Sequence, residues 1–178
     1  MSGQRLSLGD IEVNYRSAGD GPPVVLVHGL GQDHRIWRSQ QDSLERYRTI
    51  AYDVRGHGGT TIGTGRASLD QLAGDLIAML EEFGPAMVVG FSLGGTVALS
   101  AAAARPDLVK GVIALATSSA VGRAAAGLYE DRASTMLTGD RDPIEAAVAE
   151  DIMAMLKGSS VDPSPVIAAG IEAVGDGA

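Results

Sequence analysis

Ser92 stands in Gly90-Phe91-Ser92-Leu93-Gly94, a G-x-S-x-G pattern between the apolar run Ala86–Val89 and an Ala-rich apolar stretch. A serine at a bend between a buried strand and a buried helix can attack a carbonyl carbon, the chemistry of acyl transfer. Such a bend forces strained backbone angles on the serine, and glycines on either side remove side chains that would clash. The helix start sets free N–H groups and the positive end of the helix dipole beside the hydroxyl. Leu93 N–H is therefore a candidate donor to a developing oxyanion. A chain with 24 glycines also produces this pattern by chance, as a turn that happens to contain serine. The strand–turn–helix context favours the reactive reading.

The second group is His28-Gly29-Leu30-Gly31, directly after the apolar run Val24–Val27. Leu30 N–H is the candidate for a second oxyanion donor, and each such donor is typically worth ~3–4 kcal/mol of transition-state stabilisation. Gly29, Gly90, Gly94 and Gly95 are expected to support this loop and the bend, Gly95 by allowing close helix–strand packing. His28 reads as a structural histidine, hydrogen-bonded within its loop. The third group is Asp53-Val54-Arg55-Gly56-His57-Gly58. Asp53, His57 and Ser92 invite assembly into a triad, but structural roles are favoured for the first two and for Arg55. Asp53 and Arg55 are expected to pair with each other or cap the turn, and His57 to lie below or beside the pocket. His34, at an expected helix start, reads as a surface or capping residue.

The elements that position these residues follow from periodicity. Leu6, Leu8, Ile11, Val13 and Tyr15 alternate around Gly9-Asp10, the pattern of a β-hairpin with a two-residue turn. Val24–Val27, Thr49–Val54, Ala86–Val89 and Val109–Ala116 are continuous apolar runs, as expected of strands buried on both faces. Ile36, Trp37, Gln40, Gln41 and Leu44 suggest a short helix. Ser68-x-x-Gln71 is a capping box before an apolar face of Leu69, Leu72, Ala73, Leu76, Leu80 and Phe83, with Gly84-Pro85 as its stop. Thr96–Arg105 reads as a buried helix. Strands alternating with helices imply an α/β fold with a mostly parallel sheet and helices on both faces.

After Thr117 the strand patterns end, and Ala-, Met- and Glu-rich helical stretches take over. Residues 1–117 are expected to form the α/β core and residues 118–178 an incomplete helical lid. Asp142-Pro143 is a helix start there, with Ile144, Val148, Ile152, Met155 and Leu156 as its apolar side.

At 178 residues, the chain is of one-domain length. Hydrophobic residues at 45% and a mean hydropathy of +0.11 mark an ordinary globular composition. The net charge of −8 opposes nucleic-acid binding, and the absence of cysteine removes disulfides, thiolate metal sites and a cysteine nucleophile. No run is long enough for a signal peptide or a membrane span, so the expectation by default is a cytoplasmic protein without membrane partners. No metal and no cofactor are implied.

Together, Pro23-Val-Val-Leu-Val-His-Gly-Leu-Gly, Asp53-Val-Arg-Gly-His-Gly and Gly90-Phe-Ser-Leu-Gly-Gly strongly resemble the α/β-hydrolase fold family. The likeness is closest to its small bacterial branch of enol-lactonases, carboxylesterases and cofactor-free haloperoxidases, and it covers residues 4 to about 120. The resemblance implies Ser92 as nucleophile, Leu30 and Leu93 as oxyanion donors, and a structural turn at Asp53–Gly58. Gly59-Thr60 departs slightly, since the family usually has a residue followed by Ser there.

The family's triad runs in chain order Ser, acid, His. The three histidines here, His28, His34 and His57, all precede Ser92, and Thr117-Ser118-Ser119 puts no carboxylate after the last strand. The leading expectation is thus the N-terminal part of a serine hydrolase acting on small esters or lactones. A second chain or lost segment would bring the acid and His, and the isolated chain would be nearly inert. Its last strand is expected as an uncovered apolar edge that drives association. The alternative is a catalytically inactive module that binds a small ligand or partner; a third is recruitment of His57 to Ser92.

Overall fold

The computed structural model describes residues 3–65 and 67–117 and, beyond these, Ala146, Ala149, Glu150, Met153, Asp162, Ser164, Pro165, Ile167 and Ala168. The chain divides into two compact units, Met1–Ser119 with Asp176–Ala178, and Ala120–Gly175. In the second unit Ala146, Ala149, Glu150 and Met153 are helical. The helix start expected at Asp142-Pro143 and its apolar side lie outside the described residues.

The first unit holds β1 (Gln4–Leu8), β2 (Ile11–Ala18), β3 (Pro23–Val27), a 3-10 turn (His34–Trp37), α1 (Arg38–Ser43), β4 (Arg48–Tyr52), α2 (Leu69–Phe83), β5 (Ala86–Phe91), α3 (Leu93–Ala104) and β6 (Val109–Leu115). They build one six-stranded sheet in the order β1-β2-β4-β3-β5-β6. The hairpin forms as the alternation predicts, with Leu8 opposite Ile11 and Gly9 left-handed in the turn. β2 joins β4 antiparallel, and β4, β3, β5 and β6 run parallel.

The continuous apolar runs of β3, β4 and β5 are explained by two covered faces, whereas β6, expected to be buried on both faces, is the outer strand and exposed along much of its length. On one, Val25, Val27, Ile50, Tyr52 and Val88 meet Leu72, Leu76, Met79 and Leu80 of α2 and Val97, Ala98 and Ala101 of α3. On the other, Val24, Leu26 and Ala51 meet Trp37, with Met87, Val89 and Phe91 partly buried beside them. Neighbouring residues of one strand serve opposite cores, which is why no polar residue alternates with them. Burying a side chain such as Leu76 or Leu80 stabilises the fold by roughly 1.5–3 kcal/mol. Among the described residues, no helix is long and apolar enough to cross a membrane.

Two expected boundaries shift, and one cap closes differently, for identifiable reasons. β4 ends at Tyr52 rather than Val54, because Asp53 N–H turns to Asn14 O and Val54 N–H to the His28 ring. α3 begins at Leu93 rather than Thr96, because Ser92 O already accepts the N–H groups of Gly95 and Thr96. At α2, Ser68 Oγ accepts Gln71 N–H as a cap should, but the return bond from Gln71 Oε1 goes to Ala67 N–H at 2.8 Å. Ala67 is left-handed (φ 51°), which turns its N–H, rather than that of Ser68, toward the first helical turn.

Candidate active site

β3 and β5 are neighbours in the sheet, yet the chain leaves their C-terminal ends toward opposite faces. After β3 it runs to Trp37 on one side; after β5 it enters α3 on the other. Adjacent strand ends whose connections diverge leave a crevice, the usual ligand position in open α/β sheets. Ser92 is at the β5 end of this divergence and His28-Gly29-Leu30 at the β3 end.

Ser92 adopts φ 51° and ψ −118°. A left-handed non-glycine residue of this kind is strained by about 1–3 kcal/mol and persists only where its surroundings over-determine it. Here they do. Ser92 N–H donates to Leu115 O at 2.9 Å, and Ser92 O accepts Gly95 N–H at 3.0 Å, Thr96 N–H at 3.3 Å and the Thr117 hydroxyl at 2.6 Å. A Cβ on Gly94 would stand 2.3 Å from Val27 O, and one on Gly90 2.3 Å from Gly94 O. Gly95 faces Thr117, not a strand, since its Cβ would lie 2.7 Å from Thr117 Cβ. Side-chain-free packing draws α3 onto the strand ends, and the Ser92 side chain stays half-buried.

The β3 loop lies against this bend. A Cβ on Gly29 would be 3.3 Å from Ser92 Cβ. Gly29 N–H is taken by Gln32 Oε1 at 3.1 Å, whereas among the described residues no hydrogen bond engages Leu30 N–H or Leu93 N–H. Two unengaged amides thus sit in the segments flanking the Ser92 hydroxyl, where they could receive negative charge.

Each histidine has its own partner. His28 is fully buried; its Nδ1 donates to Gly29 O at 2.7 Å and its Nε2 accepts Val54 N–H at 2.9 Å. That pair of bonds fixes the neutral Nδ1–H tautomer and clips the β3 loop to the β4 loop. Burial, reinforced by the neighbouring His57, pulls the His28 pKa from 6.5 down to about 4. Below pH 6.5 the unfolded chain takes up a proton that the folded chain refuses until about pH 4. Stability is therefore complete above pH 6.5 and falls with pH across this window, by about 3 kcal/mol. Urea unfolding at a series of pH values should show that slope, and His28→Gln, which keeps an acceptor for Val54, should lack it. An identical slope in the variant would contradict the assignment.

Of the two alternatives expected for Asp53 and Arg55, pairing with each other does not occur. Asp53 accepts His34 N–H and Nδ1, both at 2.7 Å, Asn14 Nδ2 at 2.7 Å and Gly59 N–H at 2.8 Å. Burial would raise its pKa, but the bonds from His34 and Asn14 outweigh this and bring it to about 2. Capping of the turn by Asp53 does occur, through Gly59. Arg55 instead grips Asp75 of α2 with two bonds at 2.7 and 2.8 Å and reaches Asp10 in the hairpin turn at 2.9 Å. His34 opens the 3-10 turn, but Asp33 is its cap, and the His34 side chain lies on Asp53, largely buried. It is neither a surface nor a capping residue, because the buried Asp53 carboxylate needs a donor. His57 binds Arg55 O through Nδ1 at 3.1 Å, its ring 5.3 Å from that of His28. Among the described residues, no histidine or carboxylate hydrogen-bonds the Ser92 hydroxyl. Asp33, His34 and Asp53 are close enough for a cation, but Asp33 already holds Arg35 and the Asp53 oxygens have four donors.

The sequence profile described as alpha/beta hydrolase fold matches residues 22–165. The chain belongs to this family. It is 31% identical over 151 residues to a 2-(acetamidomethylene)succinate hydrolase of Mesorhizobium japonicum, covering 82% of the chain and 54% of that protein. A 3-oxoadipate enol-lactonase 2 of Acinetobacter baylyi is 30% identical over 149 residues, 81% of the chain and 55% of that protein. The chain therefore spans about half the length of the curated relatives it matches. Among solved structures, a hydrolase of Pseudomonas aeruginosa superposes with a TM-score of 0.81 at 25% identity, covering 96% of the chain and 66% of the other. The enol-lactonase of Burkholderia xenovorans gives 0.82 at 24% identity, with 98% and 70% covered, a likeness of fold.

Within this α/β-hydrolase, the departure at Gly59-Thr60 keeps a hydroxyl in place. Thr60 Oγ1 donates to Asp53 O at 2.8 Å and accepts Asn14 N–H at 2.9 Å. Sequence reasoning missed Gln32 and Asn14, which carry no local pattern. It noticed Thr117 only as a missing carboxylate, although a hydroxyl directly after the last buried strand was a signal to follow.

Proposed function

We propose that this α/β-hydrolase cleaves carboxylic esters or lactones by acyl transfer through Ser92. The observation that carries the reading is a half-buried serine on a left-handed bend, with the amides of Leu30 and Leu93, in the adjoining segments, engaged by no hydrogen bond among the described residues. Ser92 Oγ attacks the carbonyl carbon and gives up its proton to the base, and the two amides hold the oxyanion. The acyl–oxygen bond breaks so that the protonated alcohol leaves (in a lactone the ring opens), and water then releases the acyl group as an acid. The general base and its acid come from outside the described residues. The relative named above as an enol-lactonase supports a lactone as substrate.

A fluorophosphonate tests this on the chain itself, with imidazole supplied as a soluble base, since no described histidine bonds the Ser92 hydroxyl. Ser92 should become phosphonylated, at a rate that rises with imidazole, and Ser92→Ala should take up no label. In a serine protease, losing the triad serine or histidine costs ~10⁶ in turnover, so the unassisted rate should be very low. No label at Ser92 at any imidazole concentration would overturn the proposal. It would favour the second reading, a non-catalytic module, which rests on the lack of any described histidine or acid on the Ser92 hydroxyl.

β6 is the outer strand of the described sheet, with Ile113 and Leu115 roughly half exposed. We propose that this apolar edge mediates association, with a segment carrying the acid and His as the partner that would complete the site.

A further inference from the structure

Two residues that need unusual backbone angles face each other across the end of β6. Ser92 is left-handed at φ 51°, and Ala116 at φ 48°. Nothing in the alanine side chain favours that conformation, which crowds the Cβ of an L-residue against its own backbone. Its effect is to reverse the chain between Leu115, whose carbonyl accepts Ser92 N–H, and Thr117, whose hydroxyl donates to Ser92 O. Both backbone polar groups of Ser92 are thus tied to the residues on either side of Ala116.

The Thr117 bond is the short one, at 2.6 Å. The Thr117 hydroxyl has a single hydrogen, directed at the Ser92 carbonyl. Thr96 Oγ1, on the first turn of α3, lies 3.1 Å from Thr117 Oγ1. The absence of a side chain on Gly95 leaves room for Thr117 to approach.

We propose that Thr117, delivered by left-handed Ala116, is a positioning residue that holds Ser92 in its strained conformation and so sets the reactivity of the Ser92 hydroxyl. The second half of this rests on Ser92 being the nucleophile. Thr117→Val removes the hydroxyl at nearly constant shape, and Thr117→Ser restores it. Two measurements on the whole chain separate the parts. Amide hydrogen exchange over residues 90–97 should be faster in Thr117→Val and close to wild type in Thr117→Ser. Imidazole-assisted phosphonylation of Ser92 should slow by roughly 10- to 100-fold in Thr117→Val, the scale expected for a displaced reacting group, and recover in Thr117→Ser.

Exchange unchanged in Thr117→Val, or equally fast in both variants, would overturn the clamp. Normal labelling of Thr117→Val despite faster exchange would overturn its link to reactivity. A wild-type chain that takes up no label would overturn the nucleophile reading and the reactivity half with it, and hydrogen exchange would then decide the clamp by itself.

Discussion

Arg55→Ala is expected to lower the unfolding free energy by about 3–5 kcal/mol, the loss typical of breaking a buried ion pair from one side. The side chain is 3% exposed and makes bonds in three directions: to Asp75 on α2, to Asp10 in the β1–β2 turn and to Ile62 O in the loop after β4. Its removal leaves the Asp75 carboxylate, 12% exposed, without its cation. Bonding to Arg55 also holds the Asp10 carboxyl well below the usual range. Arg55→Lys should recover only part of the loss, because an ammonium cannot reproduce the two parallel bonds to Asp75. Urea unfolding of the three proteins checks this; a loss below about 1 kcal/mol in the alanine variant would show the network to be dispensable.

Gly94→Ala is expected to cost at least about 3 kcal/mol, at or beyond the upper end for overpacked cores. The new methyl would lie 2.3 Å from Val27 O and 2.6 Å from His28 O, both backbone atoms of a central strand and its loop. A flexible side chain could step aside, but these carbonyls cannot move without disturbing β3. α3 must therefore back away from the sheet, taking Ser92 with it, so Ser92 labelling should fall along with stability. Gly74→Ala is the control: its Cβ meets nothing within 4 Å, and in the middle of α2 alanine should stabilise by up to about 1 kcal/mol. Thermal unfolding of both variants tests the contrast. A Gly94→Ala protein as stable as wild type would mean that the helix–strand approach is looser than described.

The sheet was legible because its signals are local. Gly9-Asp10 between alternating runs marks the hairpin, and continuous runs such as Val24–Val27 mark strands serving two cores. The bend at Ser92 between β5 and α3 was legible for the same reason, a short pattern with a backbone requirement. Partner choice was not. Nothing near Arg55 in sequence distinguishes Asp53, two residues away, from Asp75, twenty residues on. The pairing is decided by α2 packing beside the β4 loop, a tertiary fact. His34 reads as a surface residue until Asp53 is seen buried and in need of a donor. Thr117 belongs to the same class, since its role depends on a left-handed alanine that no composition rule anticipates.

The coupling of Ser92 to Leu115 and Thr117 has a consequence for chain synthesis. The hairpin can close as soon as it emerges from the ribosome, because its contacts are close in sequence. The bend at residue 92 cannot be held complete so early, since two of the bonds that fix it, to Leu115 and from Thr117, come from more than twenty positions downstream. During translation its hydroxyl should stay conformationally loose until those positions clear the exit tunnel, making it among the last features of this region to mature.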